Sequence, residues 1–185
     1  MPQQELSGTP GYGGFAKFLH WSIATLIAVQ FALGWSMPHI GRNTRPDTLI
    51  NLHFSVGMVI LLLVIVRLAW RLKRPVPPAA TSVPFWQQRT ARAVHLLLYV
   101  LLIAIPVLGW LSASGRNFPV SLFGVIQFPQ LLPTKHPWTG TLGDVHMLLS
   151  NYVLLGAVAL HALTALYHHF IIHDETLRRM LPRFG

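Results

Sequence analysis

Four stretches of the chain are almost continuously apolar, at about 15–37, 49–69, 94–113 and 145–172. A helix that crosses the hydrocarbon core needs about 20 predominantly apolar residues, so each stretch predicts a membrane span. In lipid only helices or a closed barrel keep their backbone groups paired. Barrel strands alternate over about 10 residues, and VGMVILLLVIV in the second stretch does not alternate. The pattern therefore predicts an all-α integral membrane protein, a four-helix transmembrane bundle forming a single domain over 1–185. The first stretch does not read as a cleavable signal peptide. Its apolar part exceeds the roughly 7–15 residues of such segments, and no small-residue cleavage site follows it.

The segments between the spans differ. The first connection is short, with Pro38, Gly41 and Pro46. RPVPPAATSVP, at 74–84, is a proline-rich link expected to be extended. The third connection, at 114–143, is about thirty residues long and holds Phe118, Phe123, Phe128 and Trp138. A connection of that length usually has a task; it is expected to be an ordered cap on the outer helix ends. No internal repeat or separate soluble domain is visible.

Composition agrees. Charged residues make up 10% of the chain and hydrophobic ones 52%, against roughly 25% charged in an average soluble domain. The net charge of +9 is not a nucleic-acid footprint, because the basic residues sit between long apolar runs. Lys17, Arg67, Arg71, Lys73, Arg74, Arg89, Arg92, Arg178, Arg179 and Arg183 fall on one side of the membrane; Arg42, Arg45, Arg116 and Lys135 fall on the other. The positive-inside rule then puts both termini in the cytoplasm. With no cysteine in the chain, disulfides, iron–sulfur clusters and thioether-attached haem are excluded.

Ten histidines are the unusual feature. Ionisable residues inside a bilayer are rare and mark function by default. His20 and His95 open the first and third spans near the cytoplasmic side; His53 and His146 open the second and fourth near the outer side. His161 lies 15 residues after His146 on the same helix, about 22 Å deeper at 1.5 Å per residue. The result is two layers, His53 with His146 outside and His20, His95 and His161 inside. Facing imidazoles in a helical bundle are what a b-type haem requires, and two layers suggest two haems b. His39, His136 and His173 read as solvated, and His168 and His169 as interfacial side chains that snorkel.

Two glycines carry a related signal. Gly34 lies 14 residues after His20, and Gly109 lies 14 after His95, which returns each to its histidine's helical face. Both fall at the outer layer, on the helices that lack an outer histidine. There a flat porphyrin needs close approach, which glycine permits, although small residues also pack membrane helices together. Arg67 shares a face with His53, 14 residues before it, and is a candidate propionate contact as well as a topology signal.

Taken in order, FLHWSIA, INLHFSVGMVILLLVIVRLAWRLKRPVPP, HLLLYVLLIAIPVLGWL, PVSLFGV and LHALTALYHHFIIHDETLRRMLP resemble the bacterial di-haem cytochrome b561 family. The resemblance covers essentially the whole chain and implies a multi-pass inner-membrane cytochrome with two haems b. Such proteins exchange electrons with ubiquinone, and some are proposed to oxidise superoxide outside. Carried over motif by motif, it implies His53 and His146 as axial ligands of the outer haem iron and His20 and His161 of the inner. His95 is then left for quinone, or as an alternative haem ligand. The family usually spaces the two last-helix histidines 14 apart, against 15 here. A π-bulge absorbs one residue and is expected between His146 and His161, near Asn151 or Gly156. Competing readings are a cytochrome b anchor subunit of a dehydrogenase or hydrogenase, with a redox partner protein, and a histidine-based metal or proton transporter.

Overall fold

The computed structural model describes residues 12–41, 44–74 and 84–181. Arg42, Arg183 and most of the proline-rich link lie outside the described residues. Four helices are long and apolar enough to cross a membrane: α1 (Gly14–Ser36), α2 (Thr48–Lys73), α3 (Phe85–Gly115) and a composite last helix spanning Thr139–Ile172. The last helix consists of α4 (Thr139–Leu148), a π-helical segment π1 (Leu149–Leu154), α5 (Leu155–Tyr167) and a second π segment, π2 (His168–Ile172). The expected π-bulge is π1, and it includes Asn151.

Local chemistry sets the helix ends. Asp47 caps α2, its side chain accepting from Ile50 N at 2.9 Å, and Arg71 and Lys73 lie in the last turn, where the helix dipole favours cations. α3 begins nine residues before the apolar run predicted at 94. Gln, Arg and Ala in Phe85–Ala93 are good helix formers, but they are too polar to register as membrane span. α4 likewise starts at Thr139, ahead of the predicted 145.

The helices pack in chain order, α1 on α2, α2 on α3, and α3 on the last helix. Three apolar clusters hold them together. Ile23 joins Val56, Ile60 and Val64; Met58 and Leu61 join Ala113 and Val120; Leu101 and Ile105 join Leu154 and Ala157. Between α1 and the last helix, no Cα atoms among the described residues of these elements come within 8 Å. That seam is bridged by side chains. Trp35 Nε1 donates to Asn151 Oδ1 at 3.0 Å, and Phe31 packs against the cluster that holds Leu154 and Ala157; beyond the last helix, Trp21 Nε1 donates to Met180 O at 2.9 Å and Lys17 Nζ to Leu181 O at 2.9 Å. Below, the end where α1 begins is called proximal and the end where it finishes distal.

The third connection is a cap only in part: Gln130, Leu131 and Lys135 bond to the end of α3, but the segment before them does not lie over the helix ends. It forms a two-stranded antiparallel hairpin, β1 (Ser121–Leu122) and β2 (Ile126–Gln127), which lies along the flank of α2. Ser55 Oγ accepts from Phe123 N and lies 2.9 Å from Ser121 O. The physical reason is composition: Phe118, Val120 and Phe128 pack against the Met58–Leu61–Ala113 cluster and draw the chain down between α2 and α3.

At the proximal end, His173 adopts a left-handed conformation (φ 60°) and reverses the chain after π2. His168 does not snorkel. Its Nδ1 lies 2.6 Å from Asp174 Oδ2, with both side chains largely buried. Asp174 is available as its partner because the reversal brings it back over the helix end. Burial pushes the Asp174 carboxyl up, but hydrogen bonds from Thr176 and His168 outweigh that and hold it below its usual range.

Candidate functional site

Two pairs of histidines face one another across the bundle. His53 on α2 and His146 on α4 have ring centroids 6.1 Å apart at an interplanar angle of 77°. His20 on α1 and His161 on α5 are 6.2 Å apart, also at 77°. π1 supplies the rotation that lets His146 and His161, 15 residues apart, each meet a partner. His95 lies in the proximal layer with its ring 5.3 Å from that of His161.

These separations test whether an axially ligated metal fits. Two opposed imidazole nitrogens at about 2 Å from one metal place the ring centroids roughly 6.3 Å apart. Both facing pairs match that spacing, and His95 with His161 falls short of it. Around the distal pair the bundle is hollow. One cavity, of about 270 Å³, reaches from His53 and His146 toward Phe54, Trp110 and the distal mouth. A second, of about 130 Å³, reaches from the same two residues toward Phe31, Trp35 and Asn151 at the seam. Space on both sides of a facing imidazole pair is what a flat macrocycle between them requires. Among the described residues, no group of three His, Asp or Glu is arranged to chelate a bare metal ion.

Hydrogen bonding prepares the ligands unequally. His146 Nδ1 lies 2.8 Å from the carbonyl of Ile105. That contact makes Nδ1 the donor and leaves Nε2 its lone pair, the usual outer-shell arrangement for a metal-binding histidine. His53 Nδ1 is buried without a hydrogen-bond partner. Nearby, Gln30 Nε2 donates to His53 O at 3.0 Å, and Gln30 Oε1 is likewise buried and unpartnered. Sequence reading missed Gln30. Its signal was a lone amide inside the first apolar run.

The two glycines lie at the distal layer as expected, but against the imidazoles. A Cβ at Gly109 would stand 3.0 Å from His146 Cε1 and Nδ1; one at Gly34 would stand 3.5 Å from His53 Cε1. The reason is geometric: the carbonyl that His146 uses belongs to Ile105, four residues before Gly109, and a side chain at 109 would crowd the approach to it.

The remaining candidates sit as follows. Arg67 Nη1 donates to Ala16 O at 2.5 Å, tying α2 to the start of α1. It also lies within electrostatic range of His20, His95 and His161. Arg116 and Asp144 line the distal mouth, with Arg116 Nη1 donating to Gly41 O at 3.3 Å. His39, expected to be solvated, is exposed and also lines that mouth.

Comparison with known proteins agrees with this geometry. The family model described as prokaryotic cytochrome b561 matches residues 11–183. The chain is 33% identical over 173 residues to cytochrome b561 homolog 2 of Escherichia coli K12, covering 93% of this chain and 92% of that protein. It is 31% identical over 167 residues to a Yersinia pestis protein named "Probable superoxide oxidase CybB", covering 89% and 92%. It is 28% identical over 180 residues to cytochrome b562 of Cereibacter sphaeroides, covering 94% and 98%. Facing histidine pairs in a four-span helical bundle, matched along nearly its whole length, make this chain a member of the prokaryotic cytochrome b561 family, a multi-pass bacterial inner-membrane protein that carries haem b and transfers electrons.

Proposed function

We propose that the chain holds two haems b and exchanges electrons with ubiquinone. His53 and His146 hold one haem near the distal end, and His20 and His161 hold the other near the proximal end. The observation that carries this reading is the repeated geometry of the two pairs, 6.1 and 6.2 Å at the same 77° angle. When bound, haem with both axial positions filled supplies one-electron exchange without oxygen binding.

The chain's own residues do the rest. Ile105 O fixes the tautomer and orientation of His146. Gly109 and Gly34 give the two distal imidazoles room. Phe31, with Leu101, Ile105, Leu154 and Ala157, fills the space between the layers and excludes water from it. The 5.3 Å between His95 and His161 suits an axial pair less well than the 6.2 Å between His20 and His161, and the role we assign to His95 is to hydrogen-bond a quinone carbonyl. The proximal cations, Arg67 and Arg71 among them, face the cytoplasm by the positive-inside rule. Superoxide is the donor we favour at the distal side. Arg116 supports this, a cation on the wall of the distal mouth, set there with the carboxylate of Asp144, that can attract a small anion.

Pyridine haemochrome quantification tests the proposal. Two haems per chain are expected, with His53→Ala and His146→Ala each leaving one and the double variant losing no more than either. One haem in the unmodified protein, or a double variant that loses both, refutes it.

A further inference from the structure

The connection between α3 and the last helix descends alongside α2 and α3, away from their distal ends. Ser55, which holds the hairpin, is eight residues past the Asp47 cap, about 12 Å along the axis at 1.5 Å per residue. The headgroup zone is only about 5–7 Å thick on each side, so the level of Ser55 is already within hydrocarbon. α3 gives an independent measure. Trp110 Nε1 donates to Pro129 O at 3.1 Å, and the Trp110 and Phe128 rings lie 5.5 Å apart. Trp110 is five residues inside the end of α3. The chain returns to the rim only where Leu131 N reaches Ser114 Oγ and Lys135 N reaches Gly115 O.

The hairpin is built for such a place. From Asn117 to Thr134 there is no charged residue. Its turn amides are all paired within the protein, Phe123 N to Ser55 Oγ, Gly124 N to Ser121 Oγ and Val125 N to Leu122 O. Irregular backbone at membrane depth is tolerated on that condition. Yet its side chains face outward: Val125 is 84% exposed, Phe123 59% and Ile126 56%. In water these would form an unexplained apolar patch. The turn itself is telling. Phe123 (φ 50°) and Gly124 (φ 76°) are its two central residues, and the first is a position where hairpins in water prefer Asn, Asp or Gly.

We propose that the hairpin is a re-entrant element of the distal leaflet, with Phe123, Val125 and Ile126 in contact with the acyl chains of the bilayer. It adds a lipid-facing surface beside α2, on which Leu52 is also exposed.

The absence of cysteine makes the test direct. Single variants Val125→Cys, Leu62→Cys and Lys135→Cys carry bimane in the haem-loaded protein, reconstituted into phosphatidylcholine vesicles with or without acyl-chain bromination. The Val125 label is expected to match the Leu62 label, losing most of its fluorescence to brominated chains and little to aqueous iodide. The Lys135 label is expected to do the reverse. Should Val125→Cys fail to load haem, Ile126→Cys carries the same expectation. Quenching by iodide and not by bromolipid overturns the proposal. Protection from both quenchers also overturns it, since the hairpin would then be covered by protein.

Discussion

Gly109→Ala places a methyl group 3.0 Å from both Cε1 and Nδ1 of His146. Comfortable contact is about 3.5–4.0 Å, so the imidazole must give by a few tenths of an ångström. Retreat stretches its 2.8 Å contact with Ile105 O toward the long limit of hydrogen bonding. Overpacking costs about 1–3 kcal/mol and a stretched hydrogen bond part of the roughly 0.5–1.5 kcal/mol that an intact one is worth. At 1.4 kcal/mol per decade, haem retention at the distal pair is expected to weaken by roughly tenfold or more. Its reduction potential should also rise, because the Ile105 bond makes the ligand more basic. Thermal stability is a poor readout, since Gly→Ala inside a helix itself gains about 0.8–1 kcal/mol. Gly34→Ala is the control: its methyl would stand 3.5 Å from His53, an ordinary contact. Haem stoichiometry and potentiometric titration of both variants decide the matter. If the two behave alike, whether both intact or both impaired, the imidazole–glycine geometry is not what matters at these positions.

Other consequences are separately measurable. His95→Ala should keep both haems and slow quinone reduction; loss of a haem would make His95 an axial ligand. Deleting Tyr152, an exposed residue of π1, should convert the bulge to plain α-helix and preserve haem binding, as low-spin spectra would show; loss of both haems would mean the bulge is indispensable. The Asp174 carboxyl sits below its usual range when folded, so its contribution is full above the unfolded value near ~3.9 and is lost as pH falls through the lower folded value. Hydrogen exchange of 173–181 should therefore rise below about pH 4 in the unmodified protein. In Asp174→Asn it should be elevated already at neutral pH.

The spans and the histidine layers were legible because both rest on simple periodicities. Twenty apolar residues register as a span whatever they pack against, and 14- and 15-residue intervals fix helical faces without tertiary knowledge. Set against the 14-residue spacing that the family resemblance implies, the 15-residue interval from His146 to His161 also anticipated π1. The hairpin was not legible. VSLFGVIQF is short and apolar, and nothing local tells a cap from a segment drawn down by Met58 and Leu61. The His168–Asp174 pair was hidden for a similar reason. Six residues apart across a helix end, the two meet only because His173 takes a left-handed conformation. The glycines were placed at the right depth, where they line the cavity; that each also lies beside an imidazole was not legible, since helical phase gives a direction and not the side chain that arrives there.

The seam between α1 and the last helix bears on how the protein is made. Synthesis delivers α1, α2 and α3 first, which leaves a trough with Gly34, His53 and Gly109 on its walls and no lid. The last helix then closes the trough, and across the seam run the Trp35 to Asn151 bond and the packing of Phe31 against the cluster that holds Leu154 and Ala157, while Trp21 to Met180 and Lys17 to Leu181 tie α1 to the tail beyond it. Polar bonds of this kind are worth about 0.5–1.5 kcal/mol each, far less than a packed helix–helix face. The molecule resembles a clasp, rigid along three edges and releasable along the fourth. Such a seam is the side from which a rigid disc is expected to enter, before closure or during a brief opening of the clasp. A covalent crosslink between α1 and α5 should accordingly block haem uptake by the apoprotein and leave a preloaded protein unaffected; uptake at an unchanged rate would rule this entry route out.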